Sequence, residues 1–529
     1  TGSLTIGYGV TSMGNYAFSG CSSLSSMMVY PETPPTLGSN AFQNVPKTIP
    51  VKVPCGKVNT YQNASGWNEF TNIQEFCDPL TYEINPDGVS VTVTGHVDGT
   101  NATGELFIPE TKVIEGITFT VTAIGNDAFS NCSGLTSSLI IPNTVTSIGD
   151  FAFSECTGLT GSLILPNTLT YIGAYAFQAC PGFTGDLTLP NTLTTLGNGA
   201  FYLCNGFNGN LTLPNSITTI GKDTFASCKF TGSLTIPNTV TSIGEYAFHL
   251  CTGFTGSLTI PNSVTSIGYL AFYGCSGFDG TLTIGTSVAS MGRSAFKDSG
   301  FMHINYNAVN CAGYDQYEDV QPFQGMNATL SIGSTVQTIP QLMFSSCTGL
   351  TGTLTIPTSV TTIGYGAFYE CSGFTGSLNI PSSVTLIDGN AFYSCTGFDG
   401  TLTLPISLTT IADGTFRNCS GFTGSLTIPD RVTSIGEDAF LGCESFTGYL
   451  HIGNSVTTIG AYAFDNCIGF IGSLTIPESV TEIGPAAFQD CSGFNGRLFI
   501  LGPVTTIEHH TFNYCSSLTG SLTLPNTVT

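Results

Sequence analysis

Nineteen cysteines among 529 residues could act as disulfides, thiolate nucleophiles or soft-metal ligands, and their spacing decides between these chemistries. Cys132, Cys156, Cys180, Cys204 and Cys228 step by 24, Cys251 and Cys275 follow after 23 and 24, and Cys347 to Cys515 hold a strict step of 24. With Cys21, sixteen share one register. Equivalent positions of stacked strands lie about 4.8 Å apart, whereas a disulfide needs Cβ atoms near 3.8 Å, by order of magnitude. No CxxC pair or neighbouring histidine completes a zinc set. The column is therefore expected to be a line of buried thiols acting as small hydrophobes. Cys55, Cys77 and Cys311 stand outside it. Cys55 and Cys77 flank residues 49–77, where a disulfide could form, and Cys311 is expected to stay unpaired.

Catalytic chemistry finds no comparable pattern. Of the histidines, His249, His451, His509 and His510 occupy variable outward slots, His303 falls in an irregular stretch and His96 near a small β element. The adjacent pair His509 and His510 cannot share a helical face. No G-x-S-x-G elbow, phosphate loop or H-E-x-x-H helix occurs. Glu437, Asp438 and Asp465 read as a solvated acidic face, not an acid/base pair. The chain is not expected to be an enzyme or to carry a metal or cofactor.

What remains is recognition. One outward slot runs Thr188, Thr212, Thr235, Thr259, Thr283, Ser331, Thr355, Asn379, Thr403 and Thr427, a flat hydroxyl ladder in which Thr235, Thr259 and Thr283 are candidate contacts. A second ladder passes through Thr241-Ser242, Thr265-Ser266, Thr361-Thr362 and Thr457-Thr458. Tyr175, Tyr202, Tyr246, Tyr273, Tyr369, Tyr393 and Tyr462 recur beside the cysteine column, where half-buried packing between coils is the expected role. The densest non-repeating chemistry is Tyr314-Asp315-Gln316-Tyr317-Glu318-Asp319. Loops on rigid scaffolds often carry binding residues, so Tyr314, Asp315, Tyr317, Glu318 and Asp319 form the best single candidate site.

The elements that position these residues follow from one repeat, TGSLTIPNSVTSIGYLAFYGCSGF at 255–278. Leu258 and Ile260 alternate with Ser257 and Thr259, as in a half-buried strand. Pro261 lacks an N–H and ends the pairing. Gly268 is expected to supply a positive-φ turn. Ile267, Ala271 and Cys275, at i, i+4 and i+8, predict one to two turns of helix. Each coil thus points Leu, Ile, Val, Ile, Ala, Phe, Cys and Phe inward, and only stacking on its neighbours can bury them. Charged residues are only 9% of the chain, and 34 acidic against 11 basic side chains give a net charge of −23. That balance argues against nucleic acid and anionic lipid as partners. No apolar run approaches the roughly 20 residues of a membrane span.

The pattern L-x-I-P-x-x-V-x-x-I-G-x-x-A-F-x-x-C resembles the BspA-like, Treponema-type leucine-rich repeats of microbial surface proteins. The match covers about 123–529 and also 1–48, where Ala17-Phe18 and Ala41-Phe42 sit 24 apart. The resemblance implies a right-handed solenoid of β/short-helix coils. Residues 1–48 read as the end of one array and 49–77 as an irregular closing segment. Residues 78–122, with Val89, Val91 and Val93 after the turn signal Pro86-Asp87-Gly88, read as a small β cap. Residues 123–529 are the main array, interrupted by an irregular coil at 297–330; both ends of the chain look truncated. By resemblance, the implied role is non-enzymatic, cell-surface adhesion to host or microbial glycoproteins or extracellular matrix. Alternatives are a glycan-binding module for polysaccharide capture and a passive stalk.

Overall fold

A computed structural model describes residues 2–7, 9–315 and 320–528. Coil 255–278 again serves as the unit. Leu258–Thr259 forms a short strand that pairs in parallel with Thr281–Ile284, Thr259 opposite Thr283. Ser266–Ile267 forms a second strand, paired in parallel with Ser242–Ile243 before it and Ser290–Met291 after it. Repeated coil by coil, these pairs make two parallel ladders. Leu258, Ile260, Val264, Ile267, Ala271, Phe272, Cys275 and Phe278 are all buried. The inward set expected from alternation and spacing is therefore the core. Phe272 stacks between Phe248 and Phe296, with ring centroids 5.1 Å apart on each side. Such offset pairs add about 0.5–1.5 kcal/mol each beyond burial.

The expected short helix does not form. Among the described residues the only α-helix is Val58–Gln62. After Gly268 the chain instead makes two successive turns, with Leu270 (φ 53°) and Gly274 (φ 67°) left-handed. Tyr273 N–H donates back to Leu270 O (3.2 Å) and Cys275 N–H to Phe272 O (3.3 Å). The alternate groups reach the next coil: Leu270 N–H to Arg293 O (3.1 Å), Phe272 N–H to Ala295 O (2.7 Å) and Gly274 N–H to Lys297 O (2.9 Å). A helix would turn all these donors inward along its own axis. The double turn sends half of them across the stack, which offsets the roughly 1–2 kcal/mol of a left-handed non-glycine residue. Both conformations bring i, i+4 and i+8 to one side, so spacing alone could not separate them.

Gly268 also has a different reason from the one expected. Its φ is not positive, and the left-handed residue is Leu270. A Cβ at Gly268 would overlap the backbone of Gly244 and the Glu245 amide. Close approach of neighbouring coils, not a turn, demands glycine there.

The thiol column is buried from Cys132 to Cys491, while Cys21 is exposed and Cys515 half-buried. Most of these thiols donate to the preceding coil's phenylalanine carbonyl, as in Cys275 Sγ to Phe248 O (3.1 Å) and Cys204 Sγ to Phe177 O (2.9 Å), while Cys132 and Cys347 find other carbonyls. Burial pushes Cys204 and Cys275 up to about 12, so these sulfurs hold their protons. They are poor nucleophiles for that reason.

The first part of the chain has its own core. Gly2–Ile6, Leu24–Val29, Val51–Pro54 and Ile73–Phe76 form a four-stranded parallel sheet. The helix Val58–Gln62 and the turn Trp67–Glu69 lay Tyr61 and Trp67, both fully buried, against it. Trp67 Nε1 donates to Pro35 O (2.8 Å), and Cys55 is bonded to Cys77. Leu80–Ile84 and Ser90–His96 then pair as an antiparallel hairpin. Ser90–His96 continues in parallel to Ile117–Ile124, which starts the second ladder of the main array.

Candidate functional site

In the irregular coil the two ladders part company. The first continues unbroken through Leu258–Thr259, Thr281–Ile284, His303–Tyr306, Ala328–Ile332 and Leu350–Thr351. The second stops at Ser290–Met291 and resumes at Thr338–Ile339. In regular coils a glycine N–H reaches the carbonyl of the preceding isoleucine, as Gly292 does to Ile267 O (2.7 Å). At the break the Tyr314 hydroxyl supplies that bond instead, donating to Met291 O (2.6 Å). Tyr314 is only 9% exposed. It is thus a packing residue that mends the ladder, not a surface contact. Asp315 is exposed, whereas Tyr317, Glu318 and Asp319 lie outside the described residues. The Phe column runs on through Phe323, 5.8 Å from Phe296 and 5.5 Å from Phe344.

On the first ladder the outward slots stay in line. Thr235 and Thr259 are exposed and Thr283 is half-buried. They line an open depression of about 670 Å³ with Asn238, Asn262 and Asn307. A second depression of about 430 Å³ adjoins it on the same ladder, lined by His303, Thr329, Ser331 and Thr355. Neither Tyr314 nor Asp315 is among the residues lining either one. The structure therefore brings the three threonines together, with Tyr314 and Asp315 outside that lining.

Between the depressions lies a hydrogen-bonded chain of side chains from three adjacent strands. Asn305 Nδ2 donates to Thr283 Oγ1 (3.5 Å), leaving Asn305 Oδ1 to face His303 Nε2 (2.8 Å). That oxygen can only accept, so His303 carries its proton on Nε2. In the singly protonated ring Nδ1 then accepts from the Thr329 hydroxyl (2.6 Å). In that form the Thr329 proton is committed to His303, while the Thr283 hydroxyl accepts from Asn305 and keeps its proton for an outside acceptor. The result is an alternation of donor and acceptor at mid-ladder for that form of the ring. Thr329 N–H is committed to Met302 O (3.0 Å), so that amide does not join its own hydroxyl as a free donor. His303 and Asn305 were missed because a lone histidine in an irregular stretch reads as surface. The signal was register: H-I-N-Y at 303–306 repeats the alternation of T-L-T-I at 281–284.

Several of the recurring tyrosines stack on an aromatic ring of the adjacent coil: Tyr369 on Tyr393 (4.5 Å), Tyr175 on Phe151 (5.2 Å) and Tyr273 on His249 (5.3 Å). Among the described residues, one cluster of Cys, His or carboxylate groups has metal-ligand proximity, Cys55, Glu75 and Cys77, and its two sulfurs are joined to each other. No helix among those residues is long and apolar enough to cross a membrane.

No curated protein matches the chain. Among solved structures it is similar to a leucine-rich repeat protein from Bacteroides ovatus, at 23% identity over 75% of this chain and 94% of that one, with a TM-score of 0.49. A leucine-rich cell surface protein from Faecalibacterium prausnitzii is 23% identical over 77% of this chain and 94% of that one, with a TM-score of 0.34. The Treponema pallidum leucine-rich repeat protein is 24% identical over 42% and 87%, with a TM-score of 0.29. The description BspA type leucine rich repeat region matches in six copies, over residues 1–81, 122–255, 252–318, 323–447 and 409–529. The chain belongs to the BspA-type leucine-rich repeat family.

Proposed function

We propose that this chain is a non-enzymatic adhesion protein of a microbial cell surface, which holds extracellular glycoproteins or matrix through the first-ladder face between Ser233 and Pro357. The observation that carries the reading is the pair of adjoining depressions centred on Thr283, Asn305, His303 and Thr329. The Thr235 and Thr259 hydroxyls have no hydrogen-bond partner among the described residues, which leaves them available to a ligand. A rigid set of exposed donors and acceptors binds with little ordering cost. Ser, Thr and Asn side chains line the first depression and Ser and Thr beside His303 the second, with no carboxylate, Lys or Arg in either lining, which favours the glycan part of a glycoprotein over a charged peptide. The protein surface remains the primary target and capture of free polysaccharide the second reading.

The test is immobilised full-length chain titrated with matrix proteins and a panel of neutral glycans. Saturable binding that His303→Ala and Asn305→Ala weaken together supports the assignment. Binding unaffected by either change removes the site from this face, and no binding to any ligand leaves the passive stalk.

A further inference from the structure

The two cores of the chain meet around a separate, smaller cavity of about 190 Å³. Tyr30 and Phe76 line it from the first array and Phe107 from the segment that opens the second. Tyr30 stacks on Phe107 with centroids 3.6 Å apart and meets Phe76 edge-on at 5.2 Å. The ionisable lining consists of Asp78, Glu105 and His96. Asp78 is neutralised by Lys112 at 2.9 Å. His96 accepts the Asp98 N–H at Nδ1 (3.1 Å), and the Asp98 carboxylate lies 3.4 Å from the same nitrogen, so any charge on that ring is balanced. Glu105 has no ion-pair partner among the described residues and is the one uncompensated charge. Burial first, then the Glu105 and Asp78 carboxylates, raise the Tyr30 phenol above its ordinary value, as a negative local field requires.

We infer that this junction cavity binds a small organic cation, of the methylated ammonium class, between the aromatic rings and the Glu105 carboxylate. Its size is below the roughly 300–1,000 Å³ of pockets for drug-sized ligands, which restricts it to a head group. A hydrated inorganic ion would have to shed water against aromatic walls. A methylated ammonium presents its charge through methyl groups, which aromatic rings attract without hydrogen bonds. Because the lining comes from both arrays, occupancy would also clamp them together. The inference is independent of the strand-face site.

Calorimetric titration of the full chain with choline tests it, beside the neutral isostere 3,3-dimethylbutan-1-ol. Choline is expected to bind at one site, with the isostere weaker by at least about tenfold, the Glu105→Gln variant by about fivefold and Phe107→Leu by about tenfold. Glu105 is exposed, so its substitution leaves the fold intact, and far-ultraviolet circular dichroism checks both variants. Equal affinity for the isostere, unchanged choline binding by both variants, or no saturable heat overturns the assignment.

Discussion

Two threonine ladders run along the main array at the same period, yet their hydroxyls do different work. On the second ladder recurring threonines tie their coils to the one before: Thr265 Oγ1 donates to Thr241 O (3.2 Å), Thr433 to Thr409 O (3.1 Å) and Thr457 to Thr433 O (3.0 Å). On the first, the Thr235 and Thr259 hydroxyls make no such bond among the described residues. Where the coil turns irregular, the second ladder breaks and the first does not. One ladder holds the stack together; the other presents its chemistry to solvent.

Removing the core beneath both ladders should break them together. Phe272→Ala deletes two ring stacks and is expected to destabilise the surrounding coils by about 3–5 kcal/mol. Solenoids need not unfold in one step, so amide hydrogen exchange resolved by coil is the measurement. Losses confined to one ladder would contradict the shared core.

Tyr314→Phe should separate the ladders. It leaves the Met291 carbonyl without its hydroxyl donor, a loss of about 1–3 kcal/mol. Faster exchange is expected at Ala312 and Tyr314, whose amides bond Ala289 O and Gln341 O, with the His303–Tyr306 strand unchanged. Uniform exchange across the coil would count against the substitution of a side-chain donor for a backbone one.

Smaller effects sharpen the contrast. Thr457→Val removes one inter-coil bond and should cost about 1 kcal/mol without altering ligand binding. Thr259→Val should change stability by less than about 0.5 kcal/mol, since valine suits a strand as well as threonine, yet weaken ligand binding about fivefold. If both valine variants behave alike in stability and binding, the division between the ladders fails.

Much of this architecture is legible in the residues because a buried side chain must repeat whenever its coil does. All eight inward positions of 255–278 lie in the core. Legibility ended where two structures share one period. Ile267, Ala271 and Cys275 fit a helix and a double turn equally, and only the inter-coil bonds from Leu270, Phe272 and Gly274 decide between them. Gly268 was legible as a required glycine but not for its reason, since close approach is set by a residue 24 positions away. Tyr314 beside carboxylates reads as surface chemistry; its burial depends on an acceptor, Met291 O, left open by the irregular coil itself. His303 and Asn305 gain meaning only when Thr283 and Thr329 arrive from adjacent strands.

The most direct test of the recognition surface is binding of a neutral glycan or glycoprotein ligand by the parent chain, His303→Ala with Asn305→Ala, and Thr433→Val with Thr457→Val, all compared at equal folded fraction. The ladder account predicts that the His303 and Asn305 pair loses at least about tenfold in affinity while the Thr433 and Thr457 pair binds as the parent does. Undiminished binding by the first pair, or loss by the second alone, would contradict it.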